Sequence, residues 1–296
     1  MKRKILQSIS PIIHPITDLV LERYYKGQLE CAPLTEERVL LLAPHVDDET
    51  IGAGGTIHQH IKSGAEATVI FLTNGAGSVS DLDQSELIER RRKEAYNVQE
   101  LLGIQDIRFF DEPDGELAST NSLQARLKEV IEEVKPDVVY APVFVDCHSD
   151  HIETGHLLRD TLLQVPQRPK VRLYEINTAL PKEEINCVVD ITKSFDVKTE
   201  AVDIFKSQTI DFDGFLALAR YKSRLVEQPN VDVVETFLEL DQETFTKRFD
   251  AVYGQYAYSE YFKQVNKAAT LLLALFKNLS FKQRVYQESK GGASSS

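Results

Sequence analysis

The stretch Val39–Thr73, VLLLAPHVDDETIGAGGTIHQHIKSGAEATVIFLT, decides the fold. It opens on an apolar run, Val39–Ala43, ended by Pro44, which reads as a buried strand. An acidic turn, His45-Val46-Asp47-Asp48-Glu49, follows, and then apolar residues at helical spacing up to Gly64. A second apolar run closes at Asn74-Gly75 and reads as the next strand. Working outward, residues 84–102 form a charged helix stopped by Gly103, IRFF is a short strand, 121–134 is a helix and 137–141 an apolar strand. That alternation predicts an α/β sandwich around a mostly parallel sheet. Beyond residue 155 the pattern changes. A helix at 153–164 leads to strands at VRLYEI and NCVVDI, and the remainder reads as helical at 196–208, 213–226, 233–240 and 255–276.

This spacing predicts an N-terminal helical extension over 1–36, with helix around 9–30, a core over 37–192, a mainly helical extension packed on the core over 193–290, and a flexible tail at 291–296. The chain has 296 residues, and 34 Lys plus Arg against 46 Asp plus Glu leave a net charge of −12. Duplex nucleic acid calls for a basic face, so no nucleic-acid partner is expected. Cys31, Cys147 and Cys187 are too scattered for a disulfide scaffold, which points to reduced thiols and a cytoplasmic location. The basic N-terminus is interrupted by Pro11, His14, Pro15 and Asp18, unlike a secretory signal. The longest apolar run, Ala268–Phe276, is about half of what crosses a bilayer. It reads as an amphipathic or docking helix, and no transmembrane segment is expected. GAGG after a strand lacks the GxGxxG fingerprint, and the acidic turn before it would repel a pyrophosphate. Gly52, Gly54 and Gly55 are expected instead to let the helix approach the sheet.

Two stretches carry chemistry: Pro44-His45-Val46-Asp47-Asp48-Glu49 and Asp146-Cys147-His148-Ser149-Asp150-His151. Both fall beyond the carboxyl ends of predicted parallel strands, where α/β sheets place ligands, so the two loops become neighbours. Two imidazoles and one carboxylate make a three-ligand site for a zinc-like cation with a position left open for water. His45 and Asp48 are three apart around a turn, and His151 completes the set. Asp47 is then left as a base and His148 as a second polar group. Solvated acidic loops with locally satisfied histidines are the plainer reading. It leaves unexplained why His45, His148 and His151, out of seven histidines, gather there.

Leu40–Gly55, LLLAPHVDDETIGAGG, resembles the signature of the PIG-L/LmbE-like zinc-dependent deacetylases. The resemblance implies a Rossmann-like three-layer sandwich and removal of acetyl groups from N-acetylglucosamine-type small molecules and lipids. It implies His45 and Asp48 as ligands of Zn2+ and Asp47 as general base. HSDH at 148–151 resembles the second motif of that family, implying His151 as the third ligand. His148 would stabilise the oxyanion or protonate the leaving amine, Asp150 would hold the His148 imidazole, and Asp146 would support the site. LTNG at 72–75 and RRKEA at 91–95 resemble intermediate blocks and imply Asn74, Arg91 and Glu94 near the site or its support. A weaker likeness continues through 189–208 and 254–262.

Val46 and Ser149 stand where the family usually has proline, and Asn74 where many relatives carry an acid. Glu49 either caps the following helix or reaches substrate, its first-turn position favouring the cap. Iron(II), cobalt or manganese suit the same donors. The implied partner is an amino-sugar or glycoconjugate, and a homo-oligomer stays open. The competing functions are a same-fold amidase acting on a non-sugar N-acyl small molecule, and a catalytically silent binding protein. His58, His60 and His156 carry no metal-ligand spacing. Tyr253, Tyr256, Tyr258 and Tyr261 form an aromatic cluster read as core or interface, with a glycan platform as the alternative.

Overall fold

The computed structural model describes residues 15–77, 82–208 and 210–291. After a first helix α1 (15–24), the chain builds β1 (Arg38–Ala43), α2 (Asp48–Lys62), β2 (Glu66–Thr73), α3 (Gln84–Leu102), β3 (Asp106–Glu112), α4 (Asn121–Val134), β4 (Val138–Pro142), α5 (Ser149–Leu162) and β5 (Lys170–Tyr174). These five strands pair in parallel in the order β3-β2-β1-β4-β5. Then come β6 (Cys187–Asp190), α6 (Phe195–Val202), α7 (Asp213–Lys222), β7 (Val234–Leu240), α8 (Gln242–Val252), α9 (Leu271–Phe276) and α10 (Leu279–Ser289). β7 pairs antiparallel with both β5 and β6, which completes a seven-stranded sheet.

The sheet is buried on both faces, which explains the unbroken apolar runs in its strands. Along β1, Leu40 and Leu42 point into one core and Val39, Leu41 and Ala43 into the other. Helices α2, α3 and α6 pack together over the second core, while α4, α5, α8 and α10 pack over the first. The result is the α/β three-layer arrangement anticipated above, and α4 occupies the expected residues. Because the chain runs outward from β1 to β2 and β3 and then returns to β4 on the other side of β1, the strand order reverses between β1 and β4. A crevice forms at such a reversal, outside the strands' carboxyl ends.

Two glycines bring α2 close to that crevice. A Cβ on Gly52 would lie 2.2 Å from the Tyr174 ring, and one on Gly55 would lie 2.8 Å from Ile191. Tyr174 is fixed in turn, since its hydroxyl donates to the Leu42 carbonyl at 2.7 Å.

The C-terminal third departs from expectation. Where a helix is expected over 233–240, residues Val234–Leu240 form strand β7. In VETFLEL the acids Glu235 and Glu239 suggest an exposed helix, yet both are paired in the sheet. Glu235 is buried against Lys198 and accepts the Gly55 and Thr56 N–H groups, while Glu239 accepts from Arg172. Residues 255–276 are mostly irregular, with short 3-10 turns at Tyr258–Glu260 and Ala268–Thr270 before α9. The helix expected over 196–208 ends at Val202, and α5 starts at Ser149 instead of 153, which puts the HSDH motif in its first turn. Residues 1–14 of the N-terminal extension and 292–296 of the tail lie outside the described residues. No described helix is long and apolar enough to cross a membrane.

Overpacking a fixed core contact costs about 1–3 kcal/mol. Gly52→Ala is therefore expected to lower unfolding free energy by about that amount in urea titration, because the hydrogen-bonded Tyr174 ring has no room to yield.

Candidate metal centre

The loops after β1, β3, β4 and β5 converge at the strand-order reversal. The first folds back on itself: Asp48 Oδ2 accepts the His45 N–H at 2.9 Å and lies 3.1 Å from His45 Nδ1. Its far side is tied to β2, where the Thr73 N–H and hydroxyl both donate to the Pro44 carbonyl. From the first turn of α5, His151 Nε2 reaches the same Asp48 oxygen at 3.3 Å. His45, Asp48 and His151 are all buried, and their ligand atoms lie within 4.8 Å of one another.

Outer carboxylates orient both imidazoles. His45 Nε2 is 3.2 Å from Asp150 Oδ2 and 3.2 Å from Asp114 Oδ1. His151 Nδ1 forms no hydrogen bond among the described residues, with Asp146 Oδ1 3.5 Å away. Asp146 is held by the Asn177 and His148 N–H groups and by the Asn177 amide. Each ring thus turns one nitrogen to a carboxylate and the other toward Asp48, the usual way a protein fixes the tautomer of a metal-ligating histidine. A tetrahedral ion with bonds of about 2.0–2.1 Å spaces its donors at about 3.3 Å. The two spacings to Asp48, 3.1 and 3.3 Å, are close to that value, and the whole donor set lies within 4.8 Å.

The electrostatics agree. Burial works against charge on all three groups, but the pairing outweighs it. Asp48 is held far below the usual carboxylate range by His151 and His45. His151 is pushed up to about 10 by Asp48 and Asp146, and His45 is raised well above its ordinary value by Asp114, Asp150 and Asp48. The cluster calls for positive charge, which a dication supplies in place of imidazole protons.

Asp47 takes the N-cap position of α2 at φ 124°, a strained conformation for a residue with a side chain, yet its carboxylate makes no capping bond. Glu49 does the local work instead: its Oε2 accepts the Asp47 N–H at 3.0 Å and its Oε1 accepts the Thr50 hydroxyl. Asp47 is left lining a cavity of about 460 Å3 beside the cluster. Burial and then Asp48 push it up to about 8, against the pull of Arg91. His148 caps α5 by accepting the Asp150 N–H at Nδ1, 3.2 Å away. Its neutral ring therefore carries the proton on Nε2, and burial with the neighbouring His45 and His151 keeps its pKa low.

The remaining predicted residues sort by what they touch. The Asp150 carboxylate faces His45, Gly115 and Leu117, and its peptide N–H rather than its carboxylate touches His148. The expected carboxylate grip on the His148 ring is thus replaced by a grip on His45. Arg91 is buried and lines the cavity beneath Gly75. Glu94 accepts the Ser207 N–H and hydroxyl, anchoring the loop that carries Gln208. Asn74 accepts the Ala76 N–H and shapes its own turn, and it does not line the cavity. His58 meets Ser194, His60 meets Tyr140 and His156 meets Glu153, all outside the cluster. The Tyr253–Tyr261 aromatics pack with Phe249, Phe262 and Phe281, with Tyr258 buried, Tyr253 and Tyr256 half-buried and Tyr261 exposed.

Sequence reasoning missed Asp114 and Asn177. Asp114 follows β3 in an Asp-Gly turn and Asn177 follows β5, so the strand-end rule that singled out the other loops points to both.

The PIG-L family, GlcNAc-PI de-N-acetylase, matches residues 40–162. Diacetylchitobiose deacetylase of Thermococcus kodakarensis is 30% identical over 188 residues, covering 58% of this chain and 70% of that protein. A 1D-myo-inositol 2-acetamido-2-deoxy-alpha-D-glucopyranoside deacetylase of Kineococcus radiotolerans is 31% identical over 150 residues, covering 39% of this chain and 42% of that one. Among solved structures, N,N'-diacetylchitobiose deacetylase from Pyrococcus horikoshii superposes with a TM-score of 0.61 at 25% identity, covering 81% of this chain and 94% of that one.

Loss of a partner behind a ligating histidine typically weakens metal binding about 10–100-fold. Asp146→Asn is expected to retain the fold and lose zinc affinity by that factor in chelator competition. Unchanged affinity would remove Asp146 from the support of His151.

Proposed function

The chain belongs to the PIG-L family of de-N-acetylases, and from that premise we propose that it is a zinc-dependent hydrolase removing the N-acetyl group of an amino-sugar substrate. The observation that carries this reading is the convergence of His45, Asp48 and His151 on one point beside Asp47, at the inner end of a cavity. The names of the similar proteins supply the substrate class: a diacetylated disaccharide in one and an acetamido-glucopyranoside of inositol in the other.

In this reading His45, Asp48 and His151 hold the zinc ion. A cation held there supplies Lewis acidity, which polarises a carbonyl and lowers the pKa of water. The residues of the chain do the rest. Asp47, free of capping duty, accepts the proton of the attacking water. Burial and the neighbouring Asp48 raise the affinity of the Asp47 carboxylate for a proton above the ordinary carboxylate range, so it can take the proton and keep it until it passes to the departing nitrogen. His148 is neutral and turns Nε2–H toward the cavity, where it donates to the carbonyl oxygen as negative charge builds. A donor fixed before the reaction begins needs no reorganisation at that moment. Asp114 and Asp150 keep the second nitrogen of His45 engaged, and Arg91 favours the ionised form of Asp47.

Acetate release from a panel of N-acetylglucosamine compounds, with and without a chelator, tests the assignment. Removing a general base costs about 10²–10⁴ in rate. Asp47→Asn should lose that much kcat while binding zinc normally, whereas His45→Ala, Asp48→Ala and His151→Ala should lose the zinc. A zinc-replete Asp47→Asn protein with undiminished kcat would contradict the role given to Asp47.

A further inference from the structure

We propose that the buried ion pair between Lys198 of α6 and Glu235 of β7 positions the metal centre by fixing the first turn of α2, and with it the Asp48 carboxylate, to the sheet. Both residues lie beyond the family match over 40–162, and neither lines the cavity at the centre. The inference rests on the reading of His45, Asp48 and His151 as zinc ligands, and it gives the C-terminal part of the chain a role in that site.

The pair takes backbone groups that an α-helix ordinarily keeps for itself. A regular helix bonds each N–H to the carbonyl four residues back, which would join Gly55 to Ile51 and Thr56 to Gly52. Here the Glu235 carboxylate accepts the Gly55 N–H at 3.0 Å on one oxygen and the Thr56 N–H at 2.7 Å on the other. The Lys198 ammonium donates to the Ile51 carbonyl at 2.7 Å and is paired with Glu235. The two ions thus meet both ends of a single ladder bond, the Ile51 carbonyl and the Gly55 N–H. Side chains that enter a ladder bend or open the helix at that point. Ile51 closes the turn that Asp48 begins, so the position of Ile51 is passed to the Asp48 carboxylate within one turn.

Stability does not account for the pair. Lys198 and Glu235 are 2% and 4% exposed, and taking two charges out of water offsets much of their attraction. Packed apolar side chains in such a place are often as stable or more so. Ions supply what apolar groups lack, bonds aimed at three named backbone groups. The strand that carries Glu235 also serves the other side of the centre. β7 pairs with β5, and the loop after β5 carries Asn177, which holds Asp146 behind His151. Asp48 and His151 are thereby referred to the same pair of strands, which maintains their 3.3 Å approach.

Zinc affinity by chelator competition, measured beside urea unfolding on the full chain, tests this. Lys198→Met combined with Glu235→Leu removes both charges together, so the neighbouring Lys222–Glu175 pair keeps its own balance. Ile51 and Gly55 are then free to bond each other, and the turn relaxes. The double variant should unfold at no lower urea concentration than the unsubstituted protein, yet bind zinc at least about tenfold more weakly. Unchanged zinc affinity overturns the proposal, and so does an affinity that falls only together with the unfolding midpoint. If the double variant does not fold, Glu235→Gln decides, because it keeps the side chain's shape but an acceptor for only one of the two N–H groups. Weaker zinc binding by folded Glu235→Gln protein supports the proposal, and unchanged affinity overturns it. Acetate release by the unsubstituted protein is measured in parallel. Zinc binding that depends on the pair, without acetate release, would sink the deacetylase reading and leave the positioning role standing. Acetate release with zinc affinity indifferent to the pair would do the reverse, and an unsubstituted protein that binds no zinc would overturn both.

Discussion

Asp48 places one carboxylate oxygen between two imidazoles inside the protein, and the arrangement of the site follows from that burial. Around it lie Asp47, Glu49, Asp114, Asp146 and Asp150, nearly all of them shielded from water. Negative charge at such density survives burial only where positive charge is close and the oxygens are bonded. Histidine and arginine meet part of the first need, and the cluster is able to hold a dication that would meet the rest. The second is met by peptide N–H groups of His45, Asp47, Gly115, Leu117, His148 and Asn177, which come from loops at the ends of four strands. The parallel sheet matters to function because it delivers those four strand ends to one place. The net charge of −12 turns out to say less than its distribution, since part of the excess is concentrated where a cation belongs.

A division of labour among neighbouring residues frees the groups that face the cavity. An aspartate at an N-cap is ordinarily spent on capping. Here the Asp47 carboxylate makes no capping bond, while Glu49 accepts the Asp47 N–H and holds the turn. His148 lines the cavity and uses Nδ1 to cap α5, which leaves Nε2 to carry the proton of its neutral ring. Asp146 and Asp150 each stand behind a different imidazole. Replacing the family's proline by Val46 and Ser149 leaves these contacts in place, and Val46 contributes its carbonyl to Gln208.

The parallel half of the fold was legible because its strands are buried on both faces and α2 and α3 stop at Gly64 and Gly103. Val39–Thr73 alone declares strand, helix and strand. The three candidate ligands were legible because their chemistry is local to two motifs. What escaped notice depends on pairing between distant residues. Glu235 makes VETFLEL look unlike an interior strand until Lys198 and the N–H groups of α2 are seen to satisfy it. Asp114 is an ordinary turn aspartate until the turn meets His45.

The central claim is that one dication binds between His45, Asp48 and His151. Zinc-edge anomalous diffraction from crystals of the zinc-loaded protein tests it most directly. The account predicts a single strong peak within about 2.0–2.2 Å of His45 Nδ1, His151 Nε2 and an Asp48 oxygen. A peak held instead by Asp114, His148 and Asp150, or no ordered peak in this crevice, would contradict it.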